Sequence, residues 1–131
     1  MKKILFVFLF TLFAYGENYM ARGDKEYSEG NFTKAIEFYT KAISANSKNI
    51  KAYNNRGIVY YELGDYRSAI NDYTQALSIK SNNLGIIINR GVSYSRMKDY
   101  KNASEDAKTA CKLGDCELLY MLKENGVFVE Q

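Results

Sequence analysis

The 131-residue chain contains no histidine, no proline and no tryptophan, and just two cysteines. Without histidine it has no imidazole to serve as a general base near neutral pH or as a zinc ligand. No serine or cysteine has an evident base beside it, and no glycine-rich loop of the phosphate-cradling kind is present. Carboxylates such as Glu62 and Asp65 stand at ordinary solvated positions. These absences argue against an enzyme and lead to an expectation of no catalytic residues, no metal and no cofactor. Without proline, helix starts must rest on side-chain caps rather than on a preset φ. A dominant charge is missing too. Of 18 lysines and arginines, Lys2 and Lys3 lie at the amino end, and the other 16 are interspersed with 15 acidic residues. A nucleic-acid or anionic-membrane partner would require a basic stripe, so neither is expected.

The first sixteen residues stand apart. Two lysines precede an apolar run from Ile4 to Phe10 that resumes after Thr11, and Ala14-Tyr15-Gly16 forms a small-x-small pattern. This reads as a secretory signal peptide over residues 1–16, cut after Gly16. An uncleaved anchor is the competing reading, but about twelve residues give roughly 18 Å of helix against about 30 Å of hydrocarbon. No cysteine follows the run, which argues against a lipid anchor. The expectation is export to the periplasm of a Gram-negative bacterium, or secretion, with no membrane anchor after cleavage. The remainder is the size of one small domain, expected over 17–126, with a loosely held tail over 127–131.

Shifting residues 50–83 by 34 in either direction lays them over a copy of themselves. Gly57 falls on Gly23 and Gly91, Ala69 on Ala35 and Ala103, Ala76 on Ala42 and Ala110, and Tyr66 on Phe32 and Tyr100. Each unit splits into two apolar patterns at helical spacing. They predict helices over Glu17–Glu29, Phe32–Ala45, Ile50–Leu63, Tyr66–Ile79, Leu84–Met97 and Tyr100–Leu113. Gly30-Asn31 and Gly64-Asp65 mark the inner turns, whereas the third unit has Lys98-Asp99 and must turn without glycine. A mid-helix glycine costs roughly 1 kcal/mol relative to alanine, so Gly23, Gly57 and Gly91 call for close helix contact. Ala35, Ala69 and Ala103 are the expected facing residues, with Tyr19, Phe32, Tyr39, Tyr53, Tyr60, Tyr66, Tyr73, Tyr94 and Tyr100 filling the core and the seams between helices. A further amphipathic helix over about 116–125 is expected to cap the array with Leu118, Leu119, Tyr120 and Leu122.

A 34-residue helix-turn-helix carrying Tyr53, Gly57, Tyr60, Gly64-Asp65-Tyr66, Ala69, Tyr73 and Ala76 resembles the tetratricopeptide repeat (TPR) family. The resemblance covers about residues 16–116 in three units, 16–49, 50–83 and 84–116. Tyrosine stands where the family usually has tryptophan, and Arg22, Arg56 and Arg90 where it usually has leucine. Ser47, Ser81 and Asp115 replace the proline that often closes a repeat. The resemblance implies an all-α fold, a right-handed superhelical array of three helix pairs plus a C-terminal capping helix. It also implies a protein or peptide partner held on the concave wall built by the first helix of each pair.

The family's groove positions fall on Met20, Ala21, Asp24 and Tyr27, on Asn54, Asn55, Ile58, Tyr61 and Glu62, and on Ile88, Asn89, Val92 and Arg96. An asparagine amide carries donor and acceptor and can bond a peptide backbone of any sequence, while Tyr27, Ile58, Tyr61 and Val92 offer apolar contact. The competing reading is a solvated helix face on which asparagine is merely tolerated. Arg22, Arg56 and Arg90 are expected to reach acids on neighbouring helices. Some TPR domains grip chaperone C-termini with a carboxylate clamp, but of its positions just Asn55 matches here. The others are Met20, Asp24, Gly85 and Asn89.

Cys111 and Cys116 flank the start of the cap. In an oxidising compartment nearby cysteines usually pair, which would clamp the cap on the array. Buried free thiols are the alternative. A metal or redox role is disfavoured by the CxxxxC spacing and the missing histidine. Beyond a groove-binding module, the sequence leaves open self-association through exposed array ends. A cell-wall binder resembling the Sel1-like repeats is disfavoured by the 34-residue period and the cysteine spacing.

Overall fold

The computed structural model describes residue 15 and residues 18–127. The leader expected over 1–16 therefore lies outside the described residues apart from Tyr15, as does the tail from 128. The described chain is helical at 18–28 (α1), Phe32–Ala45 (α2), Ile50–Glu62 (α3), Tyr66–Ile79 (α4), Leu84–Arg96 (α5), Tyr100–Lys112 (α6) and Glu117–Glu124 (α7). No strand occurs among these residues. The helices form three antiparallel pairs stacked in chain order, the TPR-like superhelical array, closed by α7. No described helix is long and apolar enough to cross a membrane.

With no proline, the helix starts are made by side chains. Asn49, Asp65, Asn83 and Asp99 accept the backbone N–H of Ala52, Ser68, Ile86 and Asn102, capping α3 to α6. Asp65 also accepts the Ser68 hydroxyl at 2.7 Å, and together these bonds hold its carboxyl below the usual range. Of α2 to α7, two helices lack such a cap: α7, which starts after Cys116, and α2, which starts after Asn31. The Asn31 amide donates to Glu26 at 2.9 Å and leaves α2 without a side-chain cap. The helices α3, α5 and α6 end one residue earlier than the sequence predicts, because Leu63, Met97 and Leu113 serve as C-caps leading into the turn, and α1 likewise ends at 28 rather than 29. The turns at Gly30, Gly64 and Lys98 share one geometry: the turn residue has positive φ, and the next N–H returns to a carbonyl five residues back. Lys98, at φ 60°, does without glycine what the other two do with it.

The mid-helix glycines make their nearest contacts with residues other than the alanines expected opposite them, although a Cβ on Gly91 would also stand 3.7 Å from the Ala103 carbonyl oxygen. A Cβ on Gly23 or Gly57 would meet the ring of Tyr39 or Tyr73, the latter at 2.7 Å. Both rings are about 1% exposed, so the missing side chain is the slot into which an aromatic of the second helix fits. In the third pair that position is Ala107, and the space against Gly91 is taken instead by Leu118 of α7. The cap thus supplies the bulk that the third repeat omits. Leu118 and Leu122 are buried with Ala103 and Ala107, each of the two leucines worth about 1.5–3 kcal/mol of hydrophobic stabilisation, whereas Tyr120, expected to help cover the array, faces outward and is 63% exposed. Cys111 and Cys116 are joined as a disulfide across the α6–α7 turn. Val127, expected in the loose tail, donates its N–H to the Leu122 carbonyl at 3.0 Å and packs on the same cluster.

The repeated arginines tie the stack together. Arg56 grips both carboxylate oxygens of Asp72 on α4 at 2.8 and 2.7 Å and donates to Thr40 of the preceding pair at 2.9 Å. Arg90 does the same with Asp106 and, at 3.3 Å, with Thr74. Their guanidinium pKa values are raised, chiefly by the bonded aspartate. In the first pair the aspartate position holds Phe38, and Arg22 lies over that ring at 4.3 Å.

Candidate functional site

The first helices of the three pairs, α1, α3 and α5, lie side by side, and polar side chains link them into one wall. Asn89 of α5 donates to Asn54 Oδ1 at 3.4 Å, Asn54 donates to Asn55 Oδ1 at 3.3 Å, and Asn55 donates to Asp24 Oδ1 at 2.9 Å. Asp24 also accepts the Tyr39 hydroxyl at 2.8 Å, and Lys51 Nζ approaches its Oδ2 at 3.3 Å. Farther along, Arg96 donates to the Tyr61 hydroxyl at 3.1 Å. Each bond fixes an amide or hydroxyl in orientation, so the wall is preorganised.

Two cavities open into this wall. One, of about 220 Å³, is lined by Asp24, Tyr27, Tyr39, Asn55 and Ile58. The other, of about 290 Å³, is lined by Ile58, Tyr61, Glu62, Tyr73, Asn89 and Val92. Adding 34 to every residue of the first gives Ile58, Tyr61, Tyr73, Asn89 and Val92, five of the six residues of the second. The cavities are therefore equivalent sites at successive repeat junctions, with Ile58 serving both. Their floors are the buried tyrosines of the second helices. Burial raises the Tyr39 hydroxyl pKa, and the Asp24 carboxylate raises it further; Tyr73 is raised mainly by burial. Both hydroxyls stay neutral at any ordinary pH.

The residues that the sequence placed in the groove are distributed as follows. Asp24, Tyr27, Asn55, Ile58, Tyr61, Glu62, Asn89 and Val92 line the cavities. Asn54 lies between the two as a hydrogen-bonded bridge, and Arg96 sits at the rim. Met20 is not on the groove surface: it is 6% exposed and packs with Ala35, Tyr39 and Val59 in the core. Ile88 is half-buried against the core cluster of the second junction. The sequence reading missed Tyr39 and Tyr73 as floor residues and Lys51 as the partner of Asp24. The period held a clue to the tyrosines, since both recur at one repeat position with a glycine sixteen residues earlier. Nothing in the pattern marked Lys51. Among the described residues, no group of three or more acidic or cysteine side chains is placed to hold a metal ion.

Models of the tetratricopeptide repeat match residues 50–83 and 84–113, and a TPR-repeat model matches 23–64, so the matches tile 23–113 without a gap. The chain belongs to the tetratricopeptide repeat family. Among solved structures, the TPR domain of Arabidopsis OM64 is 27% identical, with a TM-score of 0.78 over 87% of this chain and 95% of that one. The second TPR domain of Spaghetti (RPAP3), bound to the HSP90 peptide SRMEEVD, is 28% identical, with a TM-score of 0.71 over 75% and 91%. The TPR2B domain of yeast Sti1 in its pHsp70 complex shares the fold at 22% identity and a TM-score of 0.71, over 74% of this chain and 78% of that one. No curated protein matches the sequence.

Proposed function

We infer that this chain is a non-enzymatic interaction module that holds an extended peptide, or an extended segment of a protein, along the wall of α1, α3 and α5. The observation that carries this reading is the pair of equivalent cavities at successive junctions, joined by an oriented row of asparagine amides. A binding groove wants apolar pockets for side chains and fixed polar groups for a backbone, and both recur here at the repeat spacing. The solved TPR domain that holds an HSP90 peptide supports the same use of the fold. Its acidic ligand does not transfer: of the clamp positions this chain keeps Asn55, and none of the others, Met20, Asp24, Gly85 and Asn89, carries the lysine or arginine charge that would hold a carboxylate.

The module operates in the cell envelope or outside the cell. The apolar leader supports this, and so does the Cys111–Cys116 disulfide, a bond that persists in oxidising compartments. Cell fractionation with amino-terminal sequencing tests it: an envelope protein starting at residue 17 is expected, and a cytoplasmic protein retaining Met1 would refute the location.

The binding reading is tested by immobilising the oxidised protein beside an Asn55→Ala/Asn89→Ala variant and passing an envelope extract over both. A partner retained by the first and lost by the second is the expected result. Retention by both would move the interaction off the groove. Retention of nothing but the chain itself would replace the groove with self-association.

A further inference from the structure

We propose that the groove selects segments carrying a lysine or arginine three residues from an aliphatic or aromatic residue, the cation entering the first cavity and the apolar side chain the second. This rests on the groove reading above and adds what the ligand must look like. The two cavities have one architecture, with a tyrosine floor, an asparagine on one wall and a tyrosine at the mouth. They differ most where Asp24 of the first is replaced by Ile58 in the second. The same place is therefore a carboxylate in one cavity and a branched hydrocarbon in the other.

The bonding around Asp24 shows which of its oxygens is open to exchange. Oδ1 is held from inside by the Tyr39 hydroxyl and the Asn55 amide. Oδ2 has Lys51 as its partner, at 3.3 Å, from a side chain that is 67% exposed. An exposed pair of this kind contributes little, because both charges are well solvated and the lysine gives up freedom to make it. An incoming ammonium or guanidinium can take over that oxygen and gain the Tyr27 ring on the adjoining wall. The cavity volume of about 220 Å³ equals that of roughly seven liquid waters, room for one long side chain. The second cavity offers Ile58, Val92 and the Tyr73 ring to an apolar side chain, and Glu62, which also lines it, disfavours an acidic one.

Ligand spacing follows from helix packing. Helices in contact lie about 8–10 Å apart, so successive junctions present their cavities at about that interval. A segment in the polyproline II conformation has three residues per turn and rises about 3.1 Å per residue, which places side chains i and i+3 on one side about 9 Å apart.

The test uses the purified protein with its disulfide intact and fluorescent peptides of Gly/Ser/Ala background. Each carries Leu or Phe with Lys, Arg, Gln or Glu three residues before or after it. Basic peptides should bind about three- to tenfold more tightly than their Gln counterparts at low salt, in one of the two orders, with Glu peptides weakest. Asp24→Asn keeps an Oδ1 acceptor for Tyr39 and Asn55 and should erase the preference. Lys51→Ala, at an exposed position, should raise affinity for the basic peptides by removing the internal competitor. If peptides bind with no charge preference, or the preference survives Asp24→Asn, or Lys51→Ala weakens basic peptides, the cation site is wrong while the groove stands. If no peptide of any kind binds, the groove reading falls and takes this inference with it.

Discussion

Gly57 lies against the ring of Tyr73 so closely that a methyl group on its α-carbon would stand 2.7 Å from ring carbon Cε1. The ring is about 1% exposed and has nowhere to go. Gly57→Ala should therefore destabilise the domain by about 1–2 kcal/mol, the cost of overpacking exceeding the roughly 1 kcal/mol of helix propensity gained. Gly85→Ala should do the opposite. Nothing approaches its would-be Cβ nearer than Asn83 Oδ1 at 3.8 Å, so up to about 1 kcal/mol of propensity is gained without a clash. Thermal unfolding of the two variants should shift Tm in opposite directions, and a stabilising Gly57→Ala would show that the ring can yield.

Lys98 holds a left-handed backbone that Gly30 and Gly64 occupy at equivalent turns. Lys98→Gly should stabilise by about 0.5–1 kcal/mol, because a side chain in that conformation crowds the following carbonyl. Lys98→Ala, which keeps the Cβ, should give no such gain in denaturant midpoint.

Asp72 neutralises an arginine whose side chain is 17% exposed. Removing it by Asp72→Ala leaves the Arg56 guanidinium facing an emptied, mostly dry site, a loss expected at about 2–4 kcal/mol. Arg22 occupies the same register position but lies over Phe38 at the surface. Arg22→Ala should cost less than about 1 kcal/mol. Urea denaturation of both variants checks the difference, and equal losses would mean that the Arg56–Asp72 pair contributes no more than a surface contact.

The tyrosine floors give the domain an alkaline limit. Tyr39 and Tyr73 have hydroxyls held neutral by burial, with pKa values raised above the ordinary value of about 10. Because the folded values are the higher ones, the associated stability is fully present below pH ~10 and declines as pH climbs beyond it. Titration by tyrosinate absorbance should show a late phase from the buried hydroxyls that coincides with loss of helical circular dichroism. Tyr39→Phe should shrink the late phase, and ionisation of every tyrosine before any helix is lost would contradict the buried assignment.

The disulfide closes a loop of five residues' separation, for which chain entropy gives about 2 kcal/mol. Cys111→Ser/Cys116→Ser should lose about that much. Faster amide exchange should be confined to α7 and its contacts, including Leu122, with α3 and α4 unchanged. Uniform loss of protection would mean that the cap is integral to the cooperativity of the whole array.

The helices and the repeat register were legible in the sequence because both are periodic, and periodicity survives without coordinates. Asp24, Asn55, Ile58 and Asn89 could be placed on the groove wall because the resemblance to the TPR family carries its groove positions onto that register. What the pattern could not supply was reach between helices. Gly57 was paired with Ala69 when its neighbour is the longer Tyr73, whose ring extends across the pair to the glycine. Met20 was read as groove because it begins the right face, yet it turns into the core formed with Tyr39 and Val59. The arginine ties were half visible: Asp72 and Asp106 recur sixteen residues after Arg56 and Arg90. That interval is what brings the second helix of a pair back alongside the first.

Because each cavity draws its walls from two consecutive first helices and its floor from the second helix between them, it belongs to a junction rather than to a repeat. A tandem duplication of residues 50–83 would carry a whole set of pocket residues, together with the arginine, aspartate and threonine that hold one unit to the next. Lengthening the gene by one period would thus add one further cavity of the same architecture, with the residue at the register position shared by Asp24 and Ile58 setting whether its wall is charged or apolar.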